Sequence, residues 1–265
     1  MMRICIRGAG DIATGIAVRL MRSGMKVIML DIAQPTAVRR TVSFSEAVRL
    51  GKFTVEDLTA YRAESVYEAI RITDGNNAAV MVCPDGSLIE SLRPDAIVDA
   101  VIAKKNIGTK ISDAPIVIGV GPGFTVGIDC HAVVETKRGH HLGRAIYERG
   151  KSAAPNTGIP GNICGYTSER VLRAPCDGVF AGHKNIGDIV RAGDIAAYAG
   201  GLPVYCTIDG MLRGLLADGV RAVQGMKCGD IDPRGLEADC MTVSDKALAV
   251  AGGVLEALLH FRSLA

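Results

Sequence analysis

The chain reads as an α/β protein, with a mainly parallel sheet first, a compact β-rich module after it and a C-terminal helix packing back. Three observations carry that reading. Residues 2–31 run strand, helix, strand around glycines, residues 174–232 echo themselves after 32 positions, and residues 244–259 carry a helical apolar stripe behind a serine. The implied divisions are 1–120, a glycine-rich connection over 121–170, the β-rich module over 171–235 and the helix over 236–265.

Residues 2–6 are a short apolar strand, followed by Gly8-Ala9-Gly10-Asp11-Ile12-Ala13, a G-x-G-x-x-A turn. Ile12, Ile16 and Leu20 then give the next segment one apolar helical face, and Gly24 supplies a left-handed stop. Residues 27–30 are a second buried strand closed by Asp31. This is the opening unit of a Rossmann-like fold. Gly8 allows the tight turn, Gly10 lets a phosphate approach the backbone, and Ala13 is small enough for close helix–strand packing. The helix end, with Asp11 in its first turn, offers N–H groups and positive partial charge to an anion. Asp31 stands where a ribose hydroxyl would be held. A nucleotide such as NAD(P) is one expected ligand; the alternative is that these glycines serve packing alone.

The alternation continues with a helix over 65–72 and strands over 79–82, 96–100 and 115–120. From Gly119 glycine becomes dense and helical periodicity stops. Residues 119–144 hold the richest polar cluster: Gly119, Gly121 and Gly123, then Asp129, His131, Glu135, His140, His141 and Arg144. Glycines after a buried strand can align N–H groups into an anion nest, with His131, His140 and Arg144 completing a pocket for a pterin phosphate or other oxyanion. Residues 129–135 alternate as in a strand, which puts Asp129, His131 and Glu135 on one face. A solvated polar face or a divalent-metal site are the other readings of that pattern. Cys164, in a glycine-flanked loop, is a candidate sulfur or selenium handler against the commoner structural thiol.

In the β-rich module, the 32-residue shift carries Asp177-Gly178 onto Asp209-Gly210, Gly182 onto Gly214, Gly187 onto Gly219 and Gly193 onto Gly225. Two copies of a small hairpin unit with glycine at the sheet corners resemble the biotinyl/lipoyl half-barrel, or barrel-sandwich hybrid. The hairpin where such modules carry a swinging-arm lysine, near residues 198–206, has none. Met226-Lys227 resembles a biotinylation site but falls in the last corner of the second copy, and Asp245-Lys246-Ala247 resembles a lipoylation site but opens a helix. The half-barrel is expected to dock or support, not to carry. Ser244 caps the final helix, whose Gly252-Gly253 predicts a close backbone neighbour.

The 265 residues can bury one large core or two modest ones. Thirty basic against 28 acidic residues give no basic face for nucleic acid, and no apolar run approaches a membrane span. The opening residues enter a strand directly, so no leader is expected. The eight cysteines form no C-x-x-C pair, which points to reduced core thiols, no cysteine-held metal and a cytoplasmic setting. There is no G-x-S-x-G elbow and no Walker lysine.

Several longer motifs carry a resemblance. They are Ile118-Gly119-Val120-Gly121-Pro122-Gly123-Phe124, Asp129-Cys130-His131-Ala132-Val133-Val134-Glu135-Thr136, Arg138-Gly139-His140-His141-Leu142-Gly143-Arg144, Pro155-Asn156-Thr157-Gly158, Gly229-Asp230-Ile231-Asp232-Pro233-Arg234 and Ser244-Asp245-Lys246-Ala247. Together they resemble the YqeB-type accessory proteins of the selenium-dependent molybdenum hydroxylase system. The resemblance spans nearly the whole chain. It implies a role in maturing hydroxylases of the xanthine dehydrogenase type, whose molybdenum cofactor carries a labile selenium. It also implies a molybdopterin or molybdopterin dinucleotide as ligand and the apo-enzyme as partner. The logic is similar to XdhC-type factors, which join a Rossmann domain to handling of this cofactor. No catalytic residue is carried over. An NAD(P)-dependent oxidoreductase, with His131 as acid/base, and a non-enzymatic adaptor are the competing expectations; a homo-oligomer is compatible with all three.

Overall fold

The computed structural model describes residues 1–264. The chain forms two compact units, one built from 1–33, 44–157 and 243 onward, the other from 34–43 and 158–242.

The first unit contains β1 (Arg3–Arg7), α1 (Asp11–Arg22), β2 (Lys26–Asp31), α2 (Glu46–Leu50), β3 (Lys52–Val55), β4 (Leu58–Arg62), α3 (Val66–Asp74), β5 (Ala78–Val82), α4 (Ile89–Leu92), β6 (Ala96–Asp99), β7 (Ile116–Val120), β8 (Ala132–Val134), β9 (Ala145–Ile146) and, from the chain's far end, α5 (Asp245–Leu264). Its strands make one nine-stranded sheet in the order β3-β4-β5-β2-β1-β6-β7-β8-β9. Every pairing from β4 to β8 is parallel, and only the edge strands β3 and β9 run antiparallel. The order reverses between β1 and β6, as in doubly wound sheets. The sheet runs past residue 120, and β8 and β9 come from the stretch read as a connection. The strand expected over 129–135 is shorter, because only Ala132–Val134 joins the sheet and Asp129 and His131 lie before it.

Side chains alternate across the sheet. Cys5, Ile28, Leu30, Ala79, Met81, Ile97 and Val117 share a core with Ala69 of α3 and Ile89 and Leu92 of α4. Ile4, Ile6, Val27, Met29, Val98 and Ile118, fully buried and out of phase by one residue, point the other way. That second face takes α1 and α5, which pack on each other and on the strands. Gly15 makes the α1–α5 approach feasible: a Cβ there would lie 2.6 Å from Ala247 Cβ. The Ser244 hydroxyl caps α5 by accepting from the Ala247 N–H at 3.3 Å. Among the described residues no helix is long and apolar enough to cross a membrane.

The second unit holds β10 (Val171–Arg173), β11 (Gly178–Gly182), β12 (Ile189–Val190), β13 (Ile195–Ala199), β14 (Leu202–Tyr205), β15 (Gly210–Leu215), β16 (Arg221–Ala222) and β17 (Lys227–Asp232). They form two four-stranded antiparallel sheets, β10-β17-β15-β12 and β14-β13-β11-β16. The 32-residue shift maps β10 to β13 onto β14 to β17 and exchanges one sheet for the other. The conformations repeat as well. Gly178 and Gly210 have φ of 151° and 152°, and Gly187, Gly193, Gly219 and Gly225 are all left-handed, while Gly182 and Gly214 are neither. Even a bulge recurs: Ala196 interrupts the β13–β14 register and Cys228, its equivalent, interrupts β10–β17. The core between the sheets includes Phe180, Val190, Leu212, Leu215, Cys228 and Ile231. Residues 34–43 join this unit along β15, where Leu215 N–H donates to Val38 O at 2.8 Å and Arg40 Nε donates to Leu215 O at 2.8 Å.

The two adjacent helix glycines, Gly252 and Gly253, have different surroundings. A Cβ at Gly253 would sit 2.0 Å from Gly143 O, whereas one at Gly252 would meet nothing within 4 Å. Gly253→Ala is therefore expected to destabilise by about 3 kcal/mol through overpacking. Gly252→Ala should stabilise by about 0.5–1 kcal/mol through helix propensity. Denaturant unfolding of the two variants checks the contrast, and equal effects would contradict it.

Candidate functional site

The turn between β1 and α1 lies at the carboxyl edge of the sheet, beside the reversal of strand order, where doubly wound folds receive ligands. Gly8 takes φ of 93°, and a Cβ on it would press to 3.0 Å on Ala100 O, so this position requires glycine. Its N–H donates to Leu30 O at 2.7 Å. Ala9 N–H donates to Asp31 Oδ2 at 3.0 Å, and Ile32 N–H to Asp31 Oδ1 at 2.7 Å. Asp31 thus clips the turn to the end of β2, and each carboxylate oxygen keeps a further acceptor site. Burial pushes the Asp31 carboxyl above its ordinary range, with the two backbone N–H groups opposing the shift.

Gly10 is different. It is the residue before α1, its φ is −70°, and nothing lies within 4 Å of where its Cβ would stand. Its N–H has no hydrogen-bond partner among the described residues. Two residues on, Ile12 N–H is held by Asp11 Oδ1 at 2.9 Å. Ala13 is 1% exposed. Across the turn, Ser45 N–H donates to Ala9 O at 2.9 Å and Phe44 N–H to Thr14 Oγ1 at 2.8 Å, which fixes the first turn of α1.

Beside the turn, sequence reasoning missed a buried triad. Arg7 ends β1, Asp99 ends β6, and the two are register partners. Arg7 Nη1 lies 3.3 Å from Asp99 Oδ2, Thr109 Oγ1 donates to the same oxygen at 2.6 Å, and Arg7 also donates to Thr109 Oγ1. The only sequence signal was a charge at the end of each of two apolar strands. The triad anchors the loop 100–109, in which Ile102 and Lys104 are left-handed at φ of 59° and 64°. A β-branched residue in that region is strained, and such strain gathers at functional sites. Lys104 and Lys105 on this loop are exposed, and neither has an ion-pair partner among the described residues.

The residues of 119–144 do not converge. Gly121 N–H donates to Val134 O at 2.8 Å, a Cβ on Gly121 would lie 2.9 Å from Thr136 Oγ1, and one on Gly123 would lie 2.5 Å from Lys105 Cα. These glycines are pressed by close packing. Asp129 accepts from Asn106 Nδ2 and Thr125 N–H at 2.9 and 2.8 Å. Glu135 accepts three N–H groups, from Thr136, Lys137 and Ala154, each at 2.7 Å, and so gathers the surrounding loops. His131 Nδ1 accepts from Val117 N–H at 2.9 Å, and its ring meets Phe261 edge-on at 5.7 Å. His140 and His141 stack edge-on at 5.0 Å in an exposed turn, and exposed Arg144 donates its N–H to His141 O. Among the described residues no group of three or more His, Cys, Asp or Glu side chains is placed to hold a metal.

Six of the eight cysteines are buried, and burial pushes the Cys5 and Cys130 thiols up to about 12 and Cys228 to about 11. Cys164 is the exposed one.

The chain is 52% identical over 256 residues to the uncharacterized protein YqeB of Escherichia coli (strain K12), across 97% of this chain and 47% of that protein. This similarity supports a YqeB-type family. The chain spans about half the length of the curated relative it matches. No protein-family model matches it. Two solved structures show weak likeness. An aspartoacylase family protein from Mesorhizobium loti has 12% identity and a TM-score of 0.27, covering 87% of this chain and 84% of that one. A succinylglutamate desuccinylase/aspartoacylase from Rhodobacter sphaeroides has 14% identity and a TM-score of 0.27, covering 87% and 85%.

His131 yields a test of its role. Burial holds its imidazole below the ordinary range, a contact with the Val117 backbone partly opposing. The folded state therefore favours the neutral ring, and the stability it contributes is present above the unfolded value of about 6.5 and lost as pH falls. His131→Asn keeps an acceptor for Val117 N–H without titrating. Urea unfolding between about pH 7.5 and 5 should show a flatter pH dependence for the variant than for the parent; parallel profiles would contradict this assignment.

Proposed function

We propose that the first unit binds a phosphate-bearing cofactor, a dinucleotide or a molybdenum-pterin, at the α1 N-terminus, and that the chain serves in maturing a selenium-dependent molybdenum hydroxylase. The observation that carries the binding reading is the Gly10 N–H, without a hydrogen-bond partner among the described residues at a helix end where an anion gains from N–H groups and the helix dipole. Asp31 retains acceptor capacity for a ribose, and exposed Lys104 and Lys105 bring positive charge to a neighbouring loop of the same sheet edge. The maturation role rests on the motif resemblance, which the identity with YqeB supports at the level of the family alone.

The second unit fits this scheme as a barrel-sandwich hybrid without cargo. Support comes from the two exchanged copies and from the hairpin Gly200-Gly201, which joins β13 to β14 and offers no lysine. Such a module would dock the hydroxylase apo-enzyme.

The deciding experiment is to denature the purified protein and identify the released small molecule by mass spectrometry. A molybdopterin or its dinucleotide is the expected result, and a nicotinamide dinucleotide would move the assignment to an oxidoreductase. Gly10→Val has room for its side chain at an ordinary φ, so it should fold like the parent and lose at least about tenfold in ligand occupancy. Release of nothing from the parent, or unchanged occupancy in the variant, would overturn the proposal.

A further inference from the structure

The two copies in the second unit differ most on one sheet face. On β17, Cys228 and Ile231 enter the core, while Asp230 and Asp232 lie on the other side, 1% and 0% exposed. Four basic side chains close over them. Arg213 donates from Nε to Asp230 Oδ2 at 2.9 Å and from Nη1 to Asp232 Oδ2 at 3.0 Å. Lys227 Nζ donates to Asp230 Oδ1 at 3.1 Å, and Arg170 Nη1 reaches the same oxygen at 3.1 Å. Arg234 forks onto Asp232 with 2.9 and 2.7 Å bonds. Two bulges make this possible. Cys228 is the extra residue that turns Lys227 to the Asp230 side, and Arg213 is the extra residue between Leu212 and Gly214.

The fold supplies its own control. The Cys228 bulge recurs at Ala196 in the first copy, but the Arg213 bulge has no counterpart, since β11 and β13 pair without interruption. At the equivalent positions the first copy has Ala181 for Arg213, Tyr198 for Asp230, Gly200 for Asp232 and Ile195 for Lys227. The equivalent sheet is therefore built without a charge at any of these four positions. Buried ion networks do not outperform apolar packing in stability, so architecture alone gives no reason for this one. Burial pushes the Asp230 carboxyl up, and Lys227, Arg213 and Arg170 outweigh it and hold it below the ordinary range.

We infer that this face is a second anion site, where Lys227 and Arg213 hold a phosphate-type oxyanion. The two aspartates orient the cations from beneath. Lys227 is 41% exposed along its side chain and has two N–H bonds left after its bond to Asp230. Arg213 keeps one further hydrogen on each terminal nitrogen and is fixed in its plane by bonds to both carboxylates. The ligand class is a phosphate or pyrophosphate group, which nucleotides and pterin cofactors share.

The site is independent of the α1 turn, and the test separates them. Pyrophosphate is titrated calorimetrically into the full chain carrying Gly10→Val, with ionic strength matched by sodium chloride. Binding should persist in that background, weaken at least about tenfold on adding Lys227→Ala, and return to within about threefold with Lys227→Arg. Without Lys227, Arg213 keeps its bonds to both aspartates, and near-UV circular dichroism of the Lys227→Ala chain verifies that it is folded. No pyrophosphate binding in the Gly10→Val chain, or equal binding with and without Lys227, would overturn the inference.

Discussion

Arg7 and Asp99 face each other across β1 and β6, the two strands between which the sheet reverses direction of growth, and they are 4% and 1% exposed. Neither charge is tolerable there alone, since leaving one unpaired costs about 3–5 kcal/mol. The pair therefore fixes the ends of both strands together, and Thr109 joins it from ten residues beyond Asp99. From that anchor the 100–109 loop is forced back over the sheet edge. Its backbone then meets Gly8 at Ala100 and Gly123 at Lys105, and Asn106 ties it to Asp129. The turn that leaves Gly10 open is thus shaped from outside by a loop whose position depends on one ion pair.

The same anchoring logic explains the polar stretch 119–144. Asp129, His131 and Glu135 each accept backbone or amide N–H groups, so loops lacking regular hydrogen bonding obtain it from side chains. The residues that look most chemical in the sequence there act as splints. The unsatisfied donor at Gly10 and the crowded cations around Asp230 are the exceptions.

Local patterns made β1, α1, β2, α3 and α5 legible, because their apolar spacing and caps lie within one element. The 32-residue echo was legible for a related reason: glycines at fixed corners mark left-handed backbone, and three such pairs kept that sign of φ. Other features had no local signature. Helices α2 and α4 have five and four residues, too few to show a period, and β9 has two. The β3–β4 hairpin turns at left-handed Glu56, not at a glycine or asparagine. Arg7 and Asp99 lie 92 residues apart, so nothing in the chain's order joins them. At 119–144 the residue types were read correctly as clustered, but which N–H groups would reach them is decided by the loops and not by the pattern.

The donation of residues 34–43 to the second unit has a bearing on how the chain is made. Arg40 waits for the Leu215 carbonyl, 175 residues later. At a ribosomal rate of about 5–20 residues per second, that interval is roughly 10–35 s. Through that interval this early segment is without its β15 partner. Residues 34–43 therefore complete their pairing only once β15 has been made.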